Sequence, residues 1–111
     1  MSSQLRGKRV LCVCAGGRVR SVAMRYVLTE QYGADAIACG VEKNSPATIT
    51  ALCRWADIIL VAEPGMVAKL PRSDSGRARS VNLGPDVWGS ESHPDLRAKA
   101  ASVIERIVEG I

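Results

Sequence analysis

The sequence predicts an α/β protein: a parallel sheet with helices on both faces. Three observations carry this. Short apolar runs alternate with helix-length segments along the chain, the clearest runs are continuously apolar, and turn-forming Gly or Pro stands at or just past the end of each run. A strand buried on both faces reads as an unbroken apolar run, and strands that alternate with helices pair in parallel through right-handed crossovers. At 111 residues the chain is expected to form one domain, spanning 1–111, around a single core.

The elements follow in order. Residues 8–14 become a continuous apolar run after their first two positions, the first strand. Residues 21–32, SVAMRYVLTEQY, lack strand-type alternation and stop at Gly33, a helix terminator. A short second strand covers 35–40. Ser45-Pro46 then caps and opens a helix whose Ile49, Leu52, Cys53 and Ala56 repeat at helical spacing. Residues 57–62, DIILVA, form the clearest buried strand. A short helix at 64–70, a solvated loop at 71–77 (PRSDSGR), a fourth strand at 79–83 and a loop rich in turn formers at 84–93 complete the middle. Pro94 opens the last helix, with Leu96, Ala100, Val103, Ile104 and Ile107 on one face. Ser92, three residues before Asp95, is its candidate cap, and His93 reads as a helix-start residue.

Composition narrows the function. Hydrophobic residues make up 47% and charged residues 23%, the balance of a soluble globular protein; with 4% aromatics and no Phe, the core must be aliphatic. No apolar run approaches the ~18 residues of a membrane span. The opening MSSQLRGKR has no signal-peptide stretch, so a cytoplasmic address and no membrane partner are expected. Fifteen basic against eleven acidic residues leave a net charge of +4. Neither a Lys/Arg run nor aromatics interleaved with bases accompany it, which argues against nucleic acid. Arg18, Arg20 and Arg25 gather instead around two glycines, a pattern for a small anion. Cys12, Cys14, Cys39 and Cys53 form no CxxC pair, so neither zinc nor a disulfide framework is expected. Cys12, Cys39 and Cys53 read as core. Cys14 stands where the first strand ends.

From Cys14 the chain continues C-A-G-G-R-V-R-S, a Cys-x5-Arg-Ser pattern between the first strand and the first helix. Ligands of parallel sheets bind beyond the strands' carboxyl ends, where this segment lies. Ala15, Gly16, Gly17, Arg18 and Val19 can wrap their backbone N–H groups around one centre, with the glycines supplying unusual backbone angles. The helix N-terminus adds its positive end. A tetrahedral oxyanion such as phosphate or sulfate fits there, and Arg20 offers a planar fork to two of its oxygens. The same field favours a thiolate at Cys14, a nucleophile in line with phosphorus, and Ser21 can donate a hydrogen bond to the sulfur. The pattern is neither a Walker loop nor a dinucleotide fingerprint. Expelling an alkoxide or phenoxide needs a proton donor. Asp86 is an acid in the loop on the same edge, and Trp88 beside it offers a wall for an aromatic substrate.

These residues resemble the low-molecular-weight protein tyrosine phosphatases, from about residue 9 to the C-terminus. The match is carried by Cys14, Arg20 and Ser21 of Cys-x5-Arg-Ser, by PDVWG at 85–89, which is similar to the family's PDPFG acid loop, and by ADIILVAEPGM at 56–66. The resemblance implies a four-stranded sheet of flavodoxin-like order 2-1-3-4 in a three-layer sandwich. It implies that Cys14 is the nucleophile, Arg20 the phosphate-binding arginine, Asp86 the general acid and Trp88 part of the pocket, with no metal or cofactor. Substrates would be a phosphorylated protein or a small aryl phosphate. Gly17 stands where the family often has asparagine, Val19 where some members carry a second cysteine, and Val87 where proline follows the acid. The segment between Gly40 and Asp57 is shorter than in typical members.

Three other functions fit parts of the pattern. An arsenate reductase shares the fold and first cysteine but needs resolving cysteines, and none follows Cys53. A phosphocarrier also starts with a strand, a cysteine and a glycine loop, but has no use for Arg20 or Asp86. A non-catalytic phosphate-binding module fits if the short pocket does not close on a substrate.

Overall fold

A computed structural model describes residues 5–85 and 87–110. Four strands form one parallel sheet: β1 (Arg9–Cys14), β2 (Asp35–Gly40), β3 (Ile58–Val61) and β4 (Ala78–Ser80), in the order β2-β1-β3-β4. β1 is paired on both sides, with β2 from Arg9↔Asp35 to Cys14↔Gly40 and with β3 from Val10↔Ile58 to Val13↔Val61. That explains its sequence: Val10, Leu11, Cys12, Val13 and Cys14 are all buried. In the edge strand β2 burial is complete only at Cys39 and Gly40, next to the loop that leaves β1.

The helices are α1 (Arg20–Tyr32), α2 (Pro46–Trp55), α3 (Arg72–Ser75) and α4 (Pro94–Glu109), with a 3-10 turn at Pro64–Lys69. α1 packs on β1, β2 and α4 and buries Ala23, Met24, Val27 and Leu28. It ends at Gly33, whose φ of 67° lets its N–H turn back to the Leu28 and Thr29 carbonyls. α2 begins as its Ser-Pro signal predicts, with Ser45 Oγ accepting the Thr48 N–H at 3.2 Å. α4 buries Leu96, Ala100, Ile104 and Val108, with Val103 and Ile107 half-buried beside them. At the sheet's amino edge the Asp57 carboxylate accepts from the Arg9 backbone N–H and guanidinium (3.0 and 3.1 Å), and these bonds hold the carboxyl at about 2.

Local signals misplace three features. Residues 71–77 are not a solvated loop. They contain α3 (Arg72–Ser75), exposed at Arg72 and Ser73 but with Asp74 buried and bound to Arg77, whose guanidinium reaches the carbonyls of Cys53, Ala56 and Asp57. The end of α2 leaves carbonyls without helical partners, and a distant arginine fills that need. β4 is shorter than 79–83, although Val81 and Leu83 still donate to Val61 and Ala62 of the β3 chain at 2.8 and 2.6 Å. The cap of α4 is His93, whose Nδ1 accepts the Asp95 N–H at 3.1 Å; Ser92 bonds to Ser90 instead.

Candidate active site

β1 delivers Cys14 to the carboxyl edge of the sheet, and α1 begins six residues later with Arg20 and Ser21. Cys14 is 1% exposed. Its Sγ lies 3.1 Å from Ser21 Oγ and accepts the Gly17 N–H at 3.1 Å. The sulfur thus donates to the Ser21 hydroxyl and accepts one backbone N–H, polar contacts that hold it in place at the strand end. Burial pushes Cys39 up to about 12 and pushes Cys12 and Cys53 up as well, so they are held as neutral core groups.

The start of α1 differs from those of the other long helices. Ser45 caps α2 and His93 caps α4, but Val19 at the start of α1 offers no side-chain cap. Among the described residues, the N–H groups of Ala15, Gly16, Arg18 and Val19 also have no acceptor. The helix end and the loop therefore present a concentration of free donors beside Cys14, suited to an oxyanion.

Loop shape is imposed from β2. Gly17 has φ +71°, and a Cβ on it would lie 2.7 Å from the Gly40 nitrogen. A Cβ on Gly40 would in turn meet the Ala15 oxygen at 2.6 Å. Val41 and Glu42 donate their N–H groups to the Cys14 and Ala15 carbonyls, each at 2.9 Å, and Asn44 Oδ1 accepts the Gly40 N–H at 2.9 Å. The turn after β2 thus takes up the loop's carbonyls and leaves its amides free.

Arg20 is 1% exposed, an unusual burial for a cation. Its Nη1 donates to Glu63 Oε1 at 2.9 Å and to the Gly84 carbonyl at 2.7 Å, while its buried Nε has no partner among the described residues. Leaving such a donor unsatisfied costs about 1–3 kcal/mol, which an oxyanion at this position would offset. Glu63 and Gly84 are site residues that sequence reasoning missed. The available signal was an acid directly after a buried strand, on the edge where Cys14 emerges.

The remaining expectations fall on the loop at 84–93. Asp86 lies outside the described residues. Val87 is 74% exposed. Trp88 packs partly against the core with its ring edge toward His93, centroids 5.4 Å apart. A cleft of about 420 Å³ adjoins the cysteine loop, lined by Gly16, Arg18, Val19, Lys43, Gly89 and Glu91. Trp88 is not among these. No group of three His, Cys, Asp or Glu side chains converges to hold a metal among the described residues.

Compared by sequence, the chain matches no family model and no curated protein. Compared by structure, it is similar to Vibrio vulnificus Wzb in complex with benzylphosphonate (TM-score 0.73, 17% identity, 95% of this chain and 99% of that one). It is also similar to the tyrosine phosphatase Wzb of Escherichia coli K30 in complex with phosphate (0.69, 16%, 95% and 99%). A third neighbour is the Erwinia amylovora tyrosine phosphatase AmsI (0.72, 16%, 100% and 97%). The chain has the low-molecular-weight tyrosine phosphatase fold. In the order 2-1-3-4 of that fold, β1 is central, and Cys14 at its carboxyl end is where an open parallel sheet presents a ligand site.

Proposed function

We propose that the protein is a phosphomonoester hydrolase that acts on phosphotyrosine or other aryl phosphates through a phosphocysteine at Cys14. The observation that carries this reading is Arg20: a buried guanidinium whose Nε has no partner among the described residues, on the residue next to the Ser21 that contacts the Cys14 sulfur. A purely structural arginine would use that donor within the fold, and a core cysteine needs neither a hydroxyl partner nor a loop N–H on its sulfur.

In the proposed reaction the loop N–H groups and Arg20 hold the three non-bridging oxygens of the ester. The Cys14 thiolate attacks phosphorus as the P–O bond to the leaving group breaks, and Asp86 transfers its proton to the departing oxygen. Asp86, now a carboxylate, takes a proton from water, which attacks the phosphocysteine. Phosphate leaves and the thiolate returns, with the Ser21 hydroxyl stabilising the sulfur as it departs. Arg20 and the amides stabilise charge that spreads over the equatorial oxygens. The phosphate and benzylphosphonate complexes of the two Wzb proteins support an oxyanion site that also admits a benzyl group.

Steady-state kinetics on phosphotyrosine and on an activated nitrophenyl phosphate test the reading. Cys14→Ser should abolish turnover of both while still binding phosphate. Asp86→Asn should cut phosphotyrosine turnover about 10²- to 10⁴-fold and the nitrophenyl ester far less, because the latter's leaving group needs little protonation. A wild-type protein that binds phosphate but hydrolyses neither ester would be a binding module instead.

A further inference from the structure

The cleft beside the cysteine loop bears on what the substrate carries beyond its phosphate. Its described lining holds two cations, Arg18 and Lys43, one carboxylate, Glu91, and no aromatic side chain. Trp88, the only indole or phenyl ring of the adjoining loop, is turned toward His93 and the core. An aryl group leaving the cradle through this cleft therefore meets little flat apolar surface and a net positive rim.

Both cations are held in register with the cradle. Arg18 belongs to the loop itself. Lys43 sits in the turn whose Val41 and Glu42 N–H groups bond to the Cys14 and Ala15 carbonyls, and its own N–H donates to the Gly40 carbonyl at 3.1 Å. Glu42, its acidic neighbour, does not line the cleft. Across the opening, Glu91 is fixed through its carbonyl, which accepts from Arg97 Nε at 3.0 Å. A ligand that lies toward the Arg18–Lys43 side gains two attractions at a fixed distance from the phosphate, and one that lies toward Glu91 gains only one.

Resting on the hydrolase reading above, we infer that the preferred substrate is an aryl phosphate with a second anionic group close to the ester. That group would be the acidic neighbour of a phosphotyrosine in a peptide or the carboxylate of a small carboxyaryl phosphate. Arg18 and Lys43 are the specificity-determining residues. Rim charges act mainly on encounter and are screened by salt, so the preference belongs in kcat/KM at low ionic strength.

Three phosphotyrosyl peptides that differ only in an Asp, Ser or Lys beside the phosphotyrosine test this, with carboxyphenyl phosphate against phenyl phosphate as the small-molecule arm. At low salt the Asp peptide should exceed the Lys peptide about tenfold in kcat/KM, and the gap should shrink severalfold at about 0.5 M salt. Lys43→Glu should flatten or invert the peptide order, with Lys43→Ala between it and wild type. A preference shared by carboxyphenyl phosphate identifies any nearby carboxylate as the recognised group. A preference confined to the peptides assigns it to the acidic side chain. An order that is flat in the wild type, or unchanged in Lys43→Glu, overturns the inference. Should no ester be hydrolysed, the hydrolase reading fails separately. The charge preference is then decided by peptide binding to Cys14→Ser, where Asp tightest supports it and equal affinities refute it.

Discussion

Arg20 is buried and Arg77 is exposed, yet each contacts a carboxylate and backbone carbonyl oxygen. Arg77 uses every nitrogen of its guanidinium: Nε on Asp74, Nη1 on Ala56 and Asp57, and Nη2 on Cys53 and Asp74. Arg20 lies out of solvent, yet both of its bonds among the described residues, to Glu63 and Gly84, come from Nη1. The difference separates two uses of one side chain. A saturated guanidinium closes the end of α2 and is finished. One bound among the described residues only at a corner has the rest of its planar fork to offer the oxyanion of the proposed reaction.

Three substitutions would break or sharpen that contrast. The largest effect is expected for Arg20→Lys, which keeps the charge and loses the fork. Turnover of an aryl phosphate should fall about 10²- to 10³-fold, with phosphate affinity reduced less. A fall of tenfold or less would place Arg20 with the structural arginines. Glu63→Gln comes next. It keeps a hydrogen-bond acceptor at the corner but removes the charge that orients Arg20, so kcat should fall about tenfold with the melting temperature nearly unchanged, because Glu63 is 39% exposed on its side chain. A loss of stability with normal kcat would mean that Glu63 merely neutralises Arg20. Arg77→Lys should leave kcat/KM at its wild-type value and cost about 1–3 kcal/mol of folding stability, read by urea titration, as bonds to the α2 carbonyls are lost. Reduced activity in a stably folded Arg77→Lys protein would collapse the distinction.

The same contrast marks what the sequence made legible. The cradle could be read because Cys14, Gly17, Arg20 and Ser21 lie within eight residues, so the spacing itself carries the geometry. The strands of the core and the starts of α2 and α4 at Ser45-Pro46 and His93-Pro94 were equally local. Glu63 and Gly84 were not legible as partners of Arg20, being 43 and 64 residues away and joined to it only by the order of the strands. Arg77 was hidden for a related reason. Its neighbours Ser73, Asp74, Ser75 and Gly76 look solvated, and its main partners are carbonyls, which every residue has and no sequence pattern displays. Trp88 was read as a pocket wall from its place beside Asp86, but the direction of its ring is set by His93 and the core.

The meeting of Gly17 and Gly40 without side chains between them has a consequence for motion. Where side chains fill a contact, rotamer changes let one backbone shift while the other stays. Here two main chains touch directly, stitched by the Val41 and Glu42 amides. The cradle and the end of β2 are therefore expected to move as one body, the surface loop sharing the lifetime of the sheet rather than fraying on its own. Deuterium should enter those two amides as slowly as those of the sheet, the loop holding its shape whether or not an anion is present.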